Sequence, residues 1–179
     1  MKRIFAIAAL TLSASLLAAT AASGAIVGPT FNAAAAPTGT HVQRGTPSCS
    51  LTGSSQPFGV TCSSYDLAGV GNTNATANLT ATYTATVVCI NNGSNPSDSQ
   101  HQGSFSSGAS SGQLSPKNGR LTVPSLSVGP PTADQFLMQQ TCPNPNWTPT
   151  IPGGISLSSF TYTLDFAGFQ GHYITITGP

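Results

Sequence analysis

The longest regular pattern in the chain runs from Asn78 to Cys89. Leu79, Ala81, Tyr83, Ala85, Val87 and Cys89 fall on one parity, and Asn78, Thr80, Thr82, Thr84 and Thr86 on the other. A period of two over this length predicts a half-buried antiparallel strand, apolar inside and covered with hydroxyls outside. A helix would scatter the threonines around its circumference and strain their β-branched side chains. Two further stretches alternate but change phase. Leu121 and Val123 are odd-numbered, whereas Leu126 and Val128 are even, with Pro124 between them. Ile155 and Leu157 are odd, whereas Phe160, Tyr162, Leu164 and Phe166 are even, with Ser158-Ser159 between them. A slip of one residue turns every later side chain to the opposite face. Each junction therefore predicts a bulge or a bend, and a bend lets a strand pass from one sheet to another. Pro124 also marks an edge position, because it has no N–H to give a central ladder.

Turn chemistry separates these runs. Asn92-Gly93 and Asn118-Gly119 are hairpin or turn dipeptides. Gly103–Gly112 reads GSFSSGASSG, a low-complexity tract expected to be a mobile loop. Pro130-Pro131 and residues 143–152 are rigid, non-helical connections, and Ala133–Gln140 has enough helical character for two short turns. The spacing predicts seven to nine strands in an all-β fold, an antiparallel β-sandwich of immunoglobulin-like type.

Composition sharpens this picture. Only 5% of the 179 residues are charged, against about 25% in an ordinary globular chain. All four acids are aspartates, so the usual surface formers of soluble helices are scarce. Two of the five bases, Lys2 and Arg3, stand at the extreme N-terminus. The three that remain provide no basic field for a phosphate backbone and no polybasic membrane patch, so neither nucleic acid nor an anionic membrane is an expected partner.

Residues 1–21 have the form of a secretory signal. Lys2 and Arg3 supply the positive start, residues 4–17 a short apolar run diluted by Thr11, Ser13 and Ser15, and Ala19-Thr20-Ala21 a small-x-small cleavage pattern. The run falls short of the roughly 20 apolar residues a membrane span requires. The expectation is a secreted, extracellular, periplasmic or cell-surface protein: a signal peptide at 1–21, a flexible N-terminal arm or loosely held first strand at 22–46, and a β-sandwich domain at 47–179. Export makes Cys49, Cys62, Cys89 and Cys142 two disulfides rather than metal ligands, and none stands in a Cys-x-x-Cys spacing. Four cysteines allow three connectivities, among which the sequence by itself does not choose. The pairing expected here is Cys49–Cys62, stapling a local hairpin, with Cys89–Cys142, pinning the end of the best strand to a Pro-rich loop.

Candidates for chemistry are sparse. Gly108-Ala109-Ser110-Ser111-Gly112 matches the G-x-S-x-G nucleophile elbow, but it lies in a Ser/Gly tract without the flanking strand and helix that the elbow needs. Ser110 is accordingly expected in a solvated loop. His41, His101 and His172 are scattered, each in loop-like surroundings. Asp66 and Asp165 sit in strand-like stretches and would form an acid–base pair only if those strands were neighbours. No spacing suggests a metal or a cofactor, so none is expected, and the chain is read as non-enzymatic. Trp147, the one tryptophan, stands on a Pro-framed loop beside Asn146. It either plugs one end of the sandwich near Cys142 or stacks on a sugar or a partner, with Asn146 and Tyr173 as companion contacts.

The segment Ala68-Gly69-Val70-Gly71-Asn72-Thr73-Asn74, the strand 79–89, Asn91-Asn92-Gly93, Lys117-Asn118-Gly119 and Thr141-Cys142-Pro143 together resemble a group of small exported bacterial proteins. Those share a glycine-rich opening, a threonine-rich strand ending in Cys, and turn motifs of these kinds. The resemblance covers about residues 65–166. It implies an all-β fold with Cys89 bridged to Cys142 and carries no catalytic activity; the extra pair Cys49/Cys62 departs from it. The expected function is that of a component acting through its surface: adhesive, envelope-associated or self-assembling. A cell-envelope glycan or protein, or a second copy, would be the partner. The alternative is a carbohydrate-binding module using Trp147 with Tyr65, Tyr83, Tyr162 or Tyr173.

Overall fold

The alternating segment forms the strand it predicts and extends it at the N-terminal side. The computed structural model describes residues 26–91, 93 and 96–179. The leader expected at 1–21, and Asn92 of the Asn92-Gly93 turn, lie outside the described residues. In chain order the elements are β1 (Val27–Phe31), a 3-10 turn (Ala33–Ala35), β2 (His41–Arg44), β3 (Cys49–Thr52) and β4 (Gly59–Cys62). Then come β5 (Tyr65–Ala68), β6 (Ala75–Ile90), β7 (Pro96–Leu114), β8 (Arg120–Val123), β9 (Leu126–Val128) and α1 (Ala133–Leu137). The chain closes with β10 (Thr148–Thr150), β11 (Ser156–Phe166) and β12 (Ile174–Gly178). The fold is all-β with antiparallel pairing throughout.

One sheet is built around β6. Its neighbours are β7 along one edge and, along the other, β11 followed by β10; β12 and β1 continue outward from β11. The inward parity of β6 is buried from Ala75 through Val87. Small alanines alternate there with Leu79 and Tyr83, leaving room for Phe160, Tyr162, Leu164 and Phe166 of β11. The phase change in β11 is absorbed as expected. Leu157 pairs with Tyr83 and Ser159 with Thr82, so two steps on β11 oppose one on β6 and Ser158 is the extra residue of a bulge. Next to this, Phe160 pairs with Gly178. A Cβ at Gly178 would lie 2.1 Å from the Phe160 ring, so only glycine lets the ring lie across β12.

The facing layer consists of two three-stranded sheets, β2-β5-β8 and β3-β4-β9. Each strand of one continues into a strand of the other: β2 into β3, β4 into β5, β8 into β9. The layer is therefore three long strands bent at one level. Counting each bent pair once reduces the twelve segments to nine. Pro124 lies at the bend between β8 and β9, both edge strands, where its missing N–H breaks no ladder. At the bend of the first strand Gly45 has φ of 76° and stands close against Ser64 O, two reasons for glycine at that point. Ser63 stitches the bend, its Oγ donating to Thr46 O at 2.7 Å.

Both layers contribute to one hydrophobic core. Polar contacts cross it as well: the hydroxyls of Tyr65 (β5) and Tyr162 (β11) share a 2.9 Å hydrogen bond, and Tyr83 donates to Phe58 O at 3.1 Å. Buried phenols satisfied in this way add specificity to the docking of the two layers. Disulfides join Cys49 to Cys62, opposite each other on β3 and β4, and Cys89 to Cys142. By chain entropy these are worth about 3 and about 4 kcal/mol, because the cost of closing a loop grows only as the logarithm of its length. Asn118 and Gly119, with φ of 50° and 72°, form the two-residue hairpin turn expected, flanked by the mutual backbone bonds of Lys117 and Arg120. The short helix α1 carries a capping box, Thr132 with Gln135.

Two expectations are corrected. The arm expected at 22–46 is part of the fold from Val27 on: β1 pairs with β12, β2 with β5, and Ala35 and Ala36 are core residues. Its small, irregular sequence hides edge strands whose partners lie far along the chain, so the domain starts at β1 rather than at 47. Gly103–Gly112 is no mobile loop but part of β7: residues 103–110 pair in register with β6, and Ser111-Gly112 form a bulge, with Gly112 at φ of 65°. The serines and glycines of this tract have little apolar signal, and the ladder of β6 holds 103–110 extended all the same.

The shared hydrogen bond yields a prediction. Tyr65→Phe or Tyr162→Phe strands the other hydroxyl in the core and should cost about 1–3 kcal/mol in urea unfolding. The double Phe variant should cost clearly less than the sum. Strict additivity would show that the two hydroxyls do not depend on each other.

Candidate functional site

The most extensive chemical feature of the described residues is the outward face of the β6 sheet. It follows directly from the alternation: every second residue of β6 between Thr76 and Thr86 points away from the core. Register then aligns like groups across the sheet. One row runs Thr30 (β1), Thr175 (β12), Thr163 (β11), Asn78 (β6), Ser110 (β7). The next runs Thr177, Thr161, Thr80 and Gly108, and a third Ser159, Thr82 and Ser106. Thr84 with Ser104 and Thr86 with Gln102 extend the pattern along β6 and β7. Rows lie about 7 Å apart and strands about 4.8 Å apart. Some hydroxyls bond within the face, as Thr82 does with Ser106 at 3.2 Å and Thr30 with Thr175 O. Others, such as Thr80 and Thr86, are exposed to solvent.

Asp165 and His172 stand at one end of this face. Asp165 pairs across the ladder with Thr76, which pairs with Gln113. His172 Nδ1 donates to Asp165 Oδ1, while Thr163 Oγ1 donates to Asp165 Oδ2 at 3.4 Å. Asn74, Thr76, Gln113 and Asp165 line a shallow depression of about 280 Å³. The carboxylate orients the imidazole, as in a base–orienter pair. A hydrolytic site would also need a nucleophile on the ring's other nitrogen, and no such hydroxyl is bonded to His172 among the described residues.

The expected site residues are dispersed. Ser110 lies in a strand, not an elbow; its Oγ donates to Ala77 O at 3.4 Å and accepts from Gly112 N–H at 3.2 Å. Asp66 is in β5 of the facing layer, where Thr122 Oγ1 donates to it at 2.8 Å, and so Asp66 and Asp165 belong to different sheets. Among the described residues no group of three His, Cys, Asp or Glu could hold a metal ion. Trp147 is half-buried and outside the core cluster, its backbone N–H donating to Asn144 O at 3.0 Å; Asn146 beside it is exposed. Tyr173, grouped with them in the sequence reading, is instead a core residue, its hydroxyl donating to Thr40 O and its ring packing on Phe31 and Phe166. Tyr65, Tyr83 and Tyr162 are buried as well. The expected surface tyrosines do not exist, because each lies on the inward parity of its strand or against the core.

Burial raises the pKa of all four phenols above the ordinary value, most of all for Tyr65, where the neighbouring Tyr162 adds to it. In the unfolded chain they ionise near pH 10. The native state holds its protons longer, so this contribution to stability is complete below about pH 10 and declines as pH rises beyond it. Absorbance titration of the folded protein should therefore show tyrosine ionisation displaced above that of the unfolded chain. Reversible ionisation near pH 10 in the folded protein would contradict this burial. No family model, curated protein or solved structure matches the chain, and the functional reading rests on its own geometry and chemistry.

Proposed function

We propose that this is an exported, non-enzymatic protein that works through its surface, as an adhesive, envelope-associated or self-assembling component. The observation that carries the reading is the hydroxyl-rich face spanning β1, β12, β11, β6 and β7, with Asp165 and His172 set at one end of it. Bringing its hydroxyl rows against a neutral partner strips no ion of water and meets little charge repulsion, and hydroxyls and amides can exchange water for partner groups. Two disulfides agree with an oxidising compartment. Among the described residues no helix is long and apolar enough to cross a membrane. The carbohydrate-module alternative keeps Trp147 and Asn146 but has lost its tyrosine platform to the core, so the hydroxyl face is favoured.

Sedimentation over a range of protein concentrations, together with binding to isolated cell envelopes, tests the reading. The protein should associate with itself or with the envelope. Thr80→Lys with Thr86→Lys, two exposed positions on β6, should weaken that association several-fold while leaving the melting temperature nearly unchanged. An inert monomer in both assays would remove the proposal.

A further inference from the structure

The facing layer has the opposite chemistry on its outer side. Arg44, Lys117 and Arg120 are the three Lys or Arg residues beyond the first three positions of the chain, and all belong to one sheet and the turn that leads into it. Arg44 (β2), Asp66 (β5) and Thr122 (β8) form one outward row; His41, Ala68 and Arg120 form the next. Lys117 stands opposite Arg120 across the Asn118-Gly119 turn. All three cations are exposed. Among the described residues none is within 4.0 Å of a carboxylate, since the single ion pair there is His172 with Asp165. The acid in their midst, Asp66, is bonded to Thr122 instead.

These side chains line two adjoining depressions. One of about 420 Å³ holds Lys117, Arg120 and Ser115, the other, of about 260 Å³, Arg44, Ser64 and Asp66, and Thr122 lines both. By the sheet spacings Arg44 and Arg120 are about 12 Å apart at the backbone. Cations spread over this distance along two depressions suit an extended polymer that meets them in turn. Guanidinium forks match planar carboxylates in two-bond geometry.

From this we infer that the outer side of the β2-β5-β8 sheet is a binding track for an acidic polysaccharide, a sugar chain carrying carboxylates at intervals, with Arg44, Lys117 and Arg120 as its charged contacts. The large exposed apolar residues among those described are Ile26, Val27, Phe31, Met138 and Phe169, none of them on this track. The track therefore has no exposed Phe, Tyr or Trp to stack nucleic-acid bases and no large apolar anchor for a bilayer, and three cations fall below the four to eight typical of a lipid-binding cluster.

The test uses the purified protein on immobilised polygalacturonate at low ionic strength, with neutral dextran, duplex DNA and vesicles containing phosphatidylglycerol as parallel arms. The protein should be retained on polygalacturonate, released by added salt as the charges are screened, and not retained on dextran. Replacing Arg44, Lys117 and Arg120 together by Ala should weaken retention about tenfold, in keeping with three exposed charge contacts, with the melting temperature unchanged. Asp66→Asn should tighten it about twofold. Absence of retention, equal retention of the triple variant, or DNA or vesicles bound as tightly as polygalacturonate would each overturn the inference. It uses the face opposite the hydroxyl array and does not depend on it. The triple Ala variant should self-associate like the parent, so the two readings fail separately.

Discussion

Everything in this molecule is registered against the two-sided pairing of β6. Its 16 residues pair with β7 along one edge and with β11 and β10 along the other, so the strand is held extended by ladders on both sides. Once both ladders are in place, the alternation of its sequence does two jobs. The inward Ala, Leu and Tyr residues define the core that the bent layer covers, and the outward threonines define a solvent face. Because pairing in antiparallel sheets sets residue against residue, the hydroxyl parity is transmitted from β6 to β11, β12 and β7. A single unabsorbed slip would destroy both faces at once, which gives a reason for the bulge at Ser158 next to the aromatic run of β11.

The bent layer solves a different problem. Its three strands cover the β6 sheet by passing from one small sheet to the other, with Gly45, Ser63-Ser64 and Pro124 at the junctions. The hydrogen bond between Tyr65 and Tyr162 locks the two layers in one relative position, since a buried hydroxyl without its partner is costly. With so few ions in the chain, their placement decides how each outer side meets solvent. The β6 sheet shows hydroxyls with one Asp–His pair at its end, and the β2-β5-β8 sheet shows the three cations. The two sides therefore suit different contacts, one neutral and one anionic.

Local sequence determined a good part of this. The strand at 79–89, the Asn118-Gly119 hairpin, the short helix after Pro131, the bulge near Ser158 and the break at Pro124 each follow from residues within a few positions of one another, because side-chain parity and turn geometry are local properties. The hairpin disulfide was legible for the same reason. What only the tertiary structure decided is partnership at long range. β1 and β2 have unremarkable sequences and become strands because β12 and β5 offer them edges. The Ser/Gly tract of β7 has too little apolar contrast to signal a strand, yet β6 supplies its ladder. Tyr83 already lay on the inward parity of its strand, whereas Tyr65 and Tyr173 were placed in the core only when the two layers were brought together. The cationic track was invisible for the same physical reason: Arg44 is 73 residues before Lys117 and 76 before Arg120, and pairing through β5 is what places them on one side.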